Sequence, residues 1–117
     1  MDIMLVLTLD GIKKYYGNIP EVGDYPDKYE EASFNEDGLD DLYLDEHFAM
    51  PVNKLCDSLL GYGDVDYLDA NKCKKLIPWI EENVKKETNA KVIDIYNKLH
   101  EFAKRAVDLN TGIIIEM

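Results

Sequence analysis

Cys56, Cys73, His47 and His100 are the side chains best suited to nucleophilic or metal chemistry, and each stands alone in the sequence. A zinc site draws its ligands from close pairs such as C-x-x-C or H-x-x-x-H, because one turn of backbone must aim two donors at one ion. Neither pattern is present. A thiol nucleophile needs a base within reach. His47 or His100 has the right chemistry for that base, but both cysteines fall on the apolar faces of predicted helices. Ser33, Ser58 and three threonines complete the nucleophile inventory, none of them in a nucleophile-elbow setting. Phosphate loops of the G-x-G-x-x-G or G-x-x-x-x-G-K type are missing. Arg105 is the sole arginine, which removes the usual bidentate clamp for phosphate or carboxylate. These residues predict a protein that is not an enzyme and that uses no cofactor and no metal.

The carboxylates are the remaining source of chemistry. A calcium loop needs about six to eight oxygens, a glycine at its sixth position and a closing glutamate at its twelfth. Counting from Asn35 puts Glu46 twelfth but Asp40 sixth; counting from Ser33 puts Gly38 sixth but Leu44 twelfth. Asp64, Asp66 and Asp69 lack both the turn glycine and the closing glutamate.

Their distribution is more telling. Residues 21–46 hold eleven acids and one base, Lys28, a net of −10 in a chain whose total is −11. Residues 1–20 balance, residues 47–70 add −3, and residues 71–117 carry nine bases against seven acids. Like charges gathered this way oppose compaction, so stability does not explain them. Two readings remain: a solvated loop, or a docking surface for a basic protein that also repels nucleic acid and anionic membranes. On the second reading, Glu36, Asp37, Asp40, Asp41, Asp45 and Glu46 are the charged contacts. Tyr25, Tyr29 and Tyr43 are the anchors, since tyrosine among charges is common in binding hot spots.

The elements that position this segment follow from periodicity. Val92, Ile95, Tyr96, Leu99, Phe102, Ala103, Ala106 and Leu109 repeat in steps of three and four, the mark of one helical face. The predicted helix spans 89–110, capped by Thr88 or Asn89 and ended by Gly112. A preceding helix over 70–86 buries Cys73, Leu76, Ile77, Ile80 and Val84 beneath an Asp69 cap, with a kink or restart at Pro78. Glu81–Lys85, Glu82–Lys86, Asp94–Lys98 and Glu101–Arg105 are acid-first pairs four residues apart. A third helix, near 46–60, places Val52, Leu55, Cys56, Leu59 and Leu60 on one face. It starts either at an Asp45 cap, stapled by Leu44 and Ala49, or with Pro51 as its first residue. Residues 61–68 are read as a link.

Ile3–Leu9 is a strand apolar enough to lie centrally in a sheet. Asp10-Gly11 signals a hairpin returning over Ile12–Tyr16, with a one-turn helix as the competing reading. Gly17–Pro26 is a loop, and Tyr29–Phe34 alternates like a short exposed strand. Ile113–Ile115 pairs most economically with Ile3–Leu9. The expected fold is therefore a small single α+β domain over residues 1–117. The N-terminal strand or hairpin and the C-terminal strand share one sheet, packed by about three α-helices, with an acidic, loop-rich segment at 21–46.

Composition sets outer bounds. A hydrophobic content of 46%, with 10% aromatic residues, excludes wholesale disorder. The longest apolar run, Ile3–Leu7, is far short of the roughly 20 residues of a membrane helix, and Met1-Asp2 is unlike the start of a signal peptide. Two cysteines at core positions fit a reduced, cytoplasmic chain. In size and acidity the chain resembles the small inhibitory proteins of bacteria and phages, including immunity proteins that neutralise toxins and phage proteins that block nucleases. That resemblance implies a basic partner protein, such as a toxin or nuclease, occluded by the acidic segment. The alternative is a structural or regulatory subunit that docks through an apolar helix or strand edge.

Overall fold

Three consecutive isoleucines require a strand covered on both faces, and the structure, a computed structural model describing residues 1–15, 18–40 and 42–117, provides one. In chain order the strands and helices are β1 (Asp2–Val6), β2 (Lys14–Tyr15), β3 (Ile19–Pro20), β4 (Tyr29–Ser33), α1 (Met50–Cys56), β5 (Val65–Asp69), α2 (Ala70–Val84), α3 (Ala90–Leu109) and β6 (Gly112–Glu116). A π-helical turn, Asp45–Ala49, leads into α1. The main sheet runs β4-β1-β6-β5, antiparallel throughout, and β2 pairs with β3 in a separate ribbon. The chain is thus α+β, with β1 and β6 as the central pair, as the two apolar runs imply.

Strand alternation sends successive side chains to opposite faces. Ile3, Leu5, Leu68, Ile113 and Ile115 join the core formed with the helices. Val6, Tyr67 and Ile114 form a second cluster with Val22, against which Ile12 and Ile19 pack. The stretch between β1 and β4 therefore covers the face that the helices leave open. This explains why the expected hairpin is not formed. Asp10-Gly11 does turn, with Gly11 at φ +74° and Ile12 N–H donating to Leu9 O at 3.2 Å. Both edges of β1 are already taken, however, so Lys14–Tyr15 pairs with Ile19–Pro20 instead. Tyr16 and Gly17 lie outside the described residues. The expected Tyr29–Phe34 strand is present as β4, at the sheet's edge.

α2 and α3 form where the periodicity puts them. Asp69 caps α2 by accepting from Lys72 N–H at 2.9 Å, and Asn89 caps α3 through Lys91 and Val92. α2 continues through Pro78 without a restart. Of the four anticipated ion pairs, Glu82–Lys86 is present at 3.6 Å. Glu81 instead meets His100, Lys98 meets Glu101, and Arg105 reaches across to Glu30 on β4. Phe48, Trp79 and Tyr96 pack edge-to-face or tilted at 5.7–6.1 Å and lock the first helical run to α2 and α3.

Four sequence expectations are corrected. Residues 61–68 are not only a link, because Val65–Asp69 is an edge strand on β6. α1 ends at Cys56 rather than Leu60, since Asp57 turns left-handed at φ 54°, and Leu59, beyond the turn, faces solvent instead of the core; Leu55, still within α1, is also exposed. Of its two predicted starts, the proline reading is one residue off: Pro51 is the second residue of α1, in its first turn. Asp45 makes no cap, and the wider π turn before Pro51 accommodates a residue without an N–H whose ring would crowd an α-helical carbonyl. Finally, α3 is stopped by Asn110, at φ 54°, and not by Gly112.

Gly112 has another task. It opens β6 opposite Asp69, and a Cβ there would lie 2.4 Å from Leu68 O and 2.6 Å from the Tyr67 ring. Backbone cannot yield at that distance, so Gly112→Ala should force β5 from β6 and cost about 3 kcal/mol, in the range of severe overpacking. Urea unfolding measures this; a wild-type midpoint would mean that the glycine does not set the strand spacing.

Candidate functional site

The acidic segment leaves β4 at Phe34, whose N–H donates to Met1 O at 2.8 Å, and is then shaped largely by its own polar groups. Asn35 Oδ1 accepts from Asp37 N–H at 2.6 Å, and Asp40 Oδ1 accepts from Leu42 N–H at 3.0 Å. Such side-chain acceptors stand in for the missing backbone partners of a turn. Gly38 supplies the left-handed residue between them at φ +87°. Leu39 and Leu44 pack on the core, and the Lys91 ammonium donates to the carbonyl of Asp37.

Tyr43 is the strongest tether. Its hydroxyl donates to Glu87 Oε1 at 2.8 Å, and its ring stacks on His47 with centroids 4.2 Å apart. Glu87 Oε1 also accepts from Thr88 and Asn89 N–H, at the entry to α3. Burial opposes ionisation of Glu87, but the hydrogen bonds from Asn89, Tyr43 and Thr88 outweigh it and hold its pKa below the usual 4.5. The same contact, aided by burial, raises the pKa of Tyr43. Elsewhere on the acidic stretch, the hydrogen bond from Arg105 lowers the pKa of Glu30.

A second loop completes the surface. Asp45 Oδ1 accepts from Tyr62 N–H at 2.9 Å. Eight residues further along the helical run, Asn53 grips the same loop. Its Nδ2 donates to Leu60 O at 2.8 Å, while its Oδ1 accepts from Leu60 N–H at 2.7 Å and from the buried Ser58 hydroxyl at 2.8 Å. Asp66 holds Leu59 N–H at 2.8 Å.

Glu36, Asp40 and Asp45 come together around a cavity of about 40 Å³ with Leu39, Leu44, Tyr62 and Met117. Glu46 is exposed on the adjoining turn, and Asp41 lies outside the described residues. The tyrosines are not gathered with them. Tyr29 pairs with Val6 while Ser33 pairs with Asp2, so Tyr29 sits at the opposite end of β4 from the 34–46 segment. There it packs on the second core cluster, and Tyr25 is exposed beneath the Lys28 ammonium, 4.9 Å from its ring centroid. Residues 57–64, expected as a helix end and a link, have no part in the surface that the sequence predicts, although Leu59-Leu60-Gly61-Tyr62-Gly63 between Asp57 and Asp64 is an unusual apolar run for a loop.

The cysteines are free and buried. Burial raises both thiol pKa values, that of Cys73 to about 12, which disfavours the reactive thiolate. Among the described residues no group of three or more His, Cys, Asp or Glu is placed to hold a metal ion, and no helix is long and apolar enough to cross a membrane. Set against known proteins, the chain matches no family model, no curated protein and no solved structure.

Two outcomes test the tethers. Asn53→Ala strands the buried Ser58 hydroxyl and both polar backbone groups of Leu60, so it should cost about 2–3 kcal/mol in denaturant unfolding. A change within error would show that water replaces the amide. Glu87, with a folded pKa below its unfolded one, stabilises the fold fully above the unfolded value; that stability is lost as pH falls through the folded value. Glu87→Gln does not titrate, so its melting temperature should fall less than that of wild type between about pH 5 and pH 3. Parallel curves for the two proteins would remove Glu87 from the acid response.

Proposed function

We propose that this protein binds a basic partner protein through its acidic face and inhibits it by covering the partner's own anion-binding or nucleic-acid-binding surface. The observation that carries this reading is the charge of residues 36–66: nine carboxylates against a single base, Lys54. Asn35, Asp40 and Asp45 accept backbone N–H groups within this stretch and fix its turns, while Tyr43 donating to Glu87 and Lys91 donating to the Asp37 carbonyl tie it to the scaffold. A fixed array of one sign steers an oppositely charged partner into register and costs less ordering entropy on binding than a free loop does. The same field repels nucleic acid and anionic lipid, which favours a protein partner and argues against direct nucleic-acid or membrane contact. Glu36, Asp37, Asp40, Asp41, Asp45 and Glu46 are the charged contacts. Tyr43 serves mainly to hold the segment in place, while Tyr25 and Tyr29 belong to a separate flank of the contact.

Amide substitutions allow a clean test because Asn and Gln keep the acceptor oxygens that Leu42 and Tyr62 use. Wild type and a variant with those six acids converted to amides are used to capture partners from the source cells. The variant should associate with the captured basic protein at least about tenfold more slowly at low salt, and its rate should depend less on ionic strength. Equal recovery of the same partner by both proteins at low salt would end the proposal.

A further inference from the structure

Three large apolar side chains stand in solvent beside the acids: Leu59 is 80% exposed, Tyr62 71% and Met50 63%. Their backbone is not free to fold them inward. The loop carrying Leu59 and Tyr62 runs antiparallel to the helical run carrying Met50, pinned at one end by Asp45 to Tyr62 and at the other by Asn53 to Leu60. Leu60 points into the core, and its neighbour Leu59, held through Asp66, points out. The result is an apolar strip whose Tyr62 end carries carboxylates, since Tyr62 lines a cavity with Glu36, Asp40 and Asp45 and Asp64 follows it by two residues, while Met50 shares a groove with Asn53 and Lys54.

We infer that this strip, resting on the acidic-docking reading above, seats a cationic amphipathic segment of the partner. The segment's apolar side chains would lie on Met50, Leu59 and Tyr62, and its lysines or arginines would meet Asp45, Glu46 and Asp64. Charge selects this occupant. A wholly apolar partner would strip water from Asp45 and Asp64 without replacing it. A second copy of this chain brings a further −11 to the contact. A cationic segment with an apolar face satisfies both halves of the surface, and Lys54 orients it with its basic residues at the Tyr62 end.

The test uses the full isotope-labelled chain and two short synthetic helical peptides of equal lysine content. One carries leucines along one face, and the other carries serines in their place. The Leu/Lys peptide should bind at least about tenfold tighter, the equivalent of about 1.4 kcal/mol, and shift the amide resonances of Met50, Leu59 and Tyr62. In the Leu59→Ser/Tyr62→Ser double variant, both peptides should bind with the same weak affinity. These residues are exposed, so the melting temperature should stay near that of wild type. If wild type binds the two peptides equally, the apolar seat is wrong while acidic docking stands. If it binds neither at low salt, acidic docking itself is wrong. A double variant that still prefers the Leu/Lys peptide would place the seat elsewhere. Wild-type dimerisation abolished by the double variant would assign the strip to a second copy and overturn the inference.

Discussion

Ile113, Ile114 and Ile115 leave no face of their strand fit for water, and much of the architecture follows from having to cover both. Burying an isoleucine side chain is worth about 1.5–3 kcal/mol, so an open face beside this run would forfeit a large share of a small protein's stability. β6 takes an inner position between β1 and β5, and α1, α2 and α3 cover one side. Among the described residues no helix contributes to the cluster on the other side. Ile12, Ile19 and Val22 on the stretch between β1 and β4 cover it instead, with Tyr29 and Met4 at the margin. The buried Thr111 hydroxyl donates to Val6 O at 2.5 Å, joining the start of β6 to the point where the chain leaves β1.

The acids are arranged around that core with a second use. Asp40, Asp45, Asp66 and Asp69 each accept a backbone N–H from a turn, a loop or a helix start. Irregular backbone needs such acceptors, because it has no ladder to satisfy its donors. A carboxylate can take one of these bonds and still present charge outward, since its two oxygens accept several. Loop shape and surface potential are thus set by the same side chains. The cost is mutual repulsion, which Lys91 and Arg105 offset where α3 meets Asp37 and Glu30.

Much of the scaffold is legible in the sequence because its signals are local. The 3.6-residue stripe and the caps at Asp69 and Asn89 place α2 and α3, and the doubly apolar runs identify the central strand pair. β5 is hidden because Val65-Asp66-Tyr67-Leu68-Asp69 breaks alternation. Tyr67 and Leu68 are buried on opposite faces, and Asp66 is spent on Leu59 and Tyr67 N–H. Gly112 and Asn110 both suit a helix end, and only the 2.4 Å approach to Leu68 O separates their roles. Leu55 and Leu59 fit a helical face until Asp57 ends the helix before it can carry Leu59. The acidity of the candidate site was plain from composition, but its shape was not. Nothing local indicates that Tyr43 reaches Glu87, that Tyr29 lies at the far end of its strand, or that Asp45 gathers in Tyr62.

Exposed apolar surface and high net charge are often treated as opposing features, yet here each makes the other workable. Leu59, Tyr62 and Met50 on a neutral protein would invite self-association; on a chain of −11, two copies repel before they can bury that surface. The acids in turn gain what they lack alone. Surface charge raises encounter rates and rejects partners of the wrong sign, but exposed ion pairs contribute only about 0–1 kcal/mol each. Apolar contact supplies the slow dissociation that charge does not. In the proposed complex the carboxylates therefore select and orient the partner, while the strip retains it. The two meet where Asp45 and Asn53 on the helical run hold the loop carrying Leu59 and Tyr62, so a change at either tether would disturb selection and retention together.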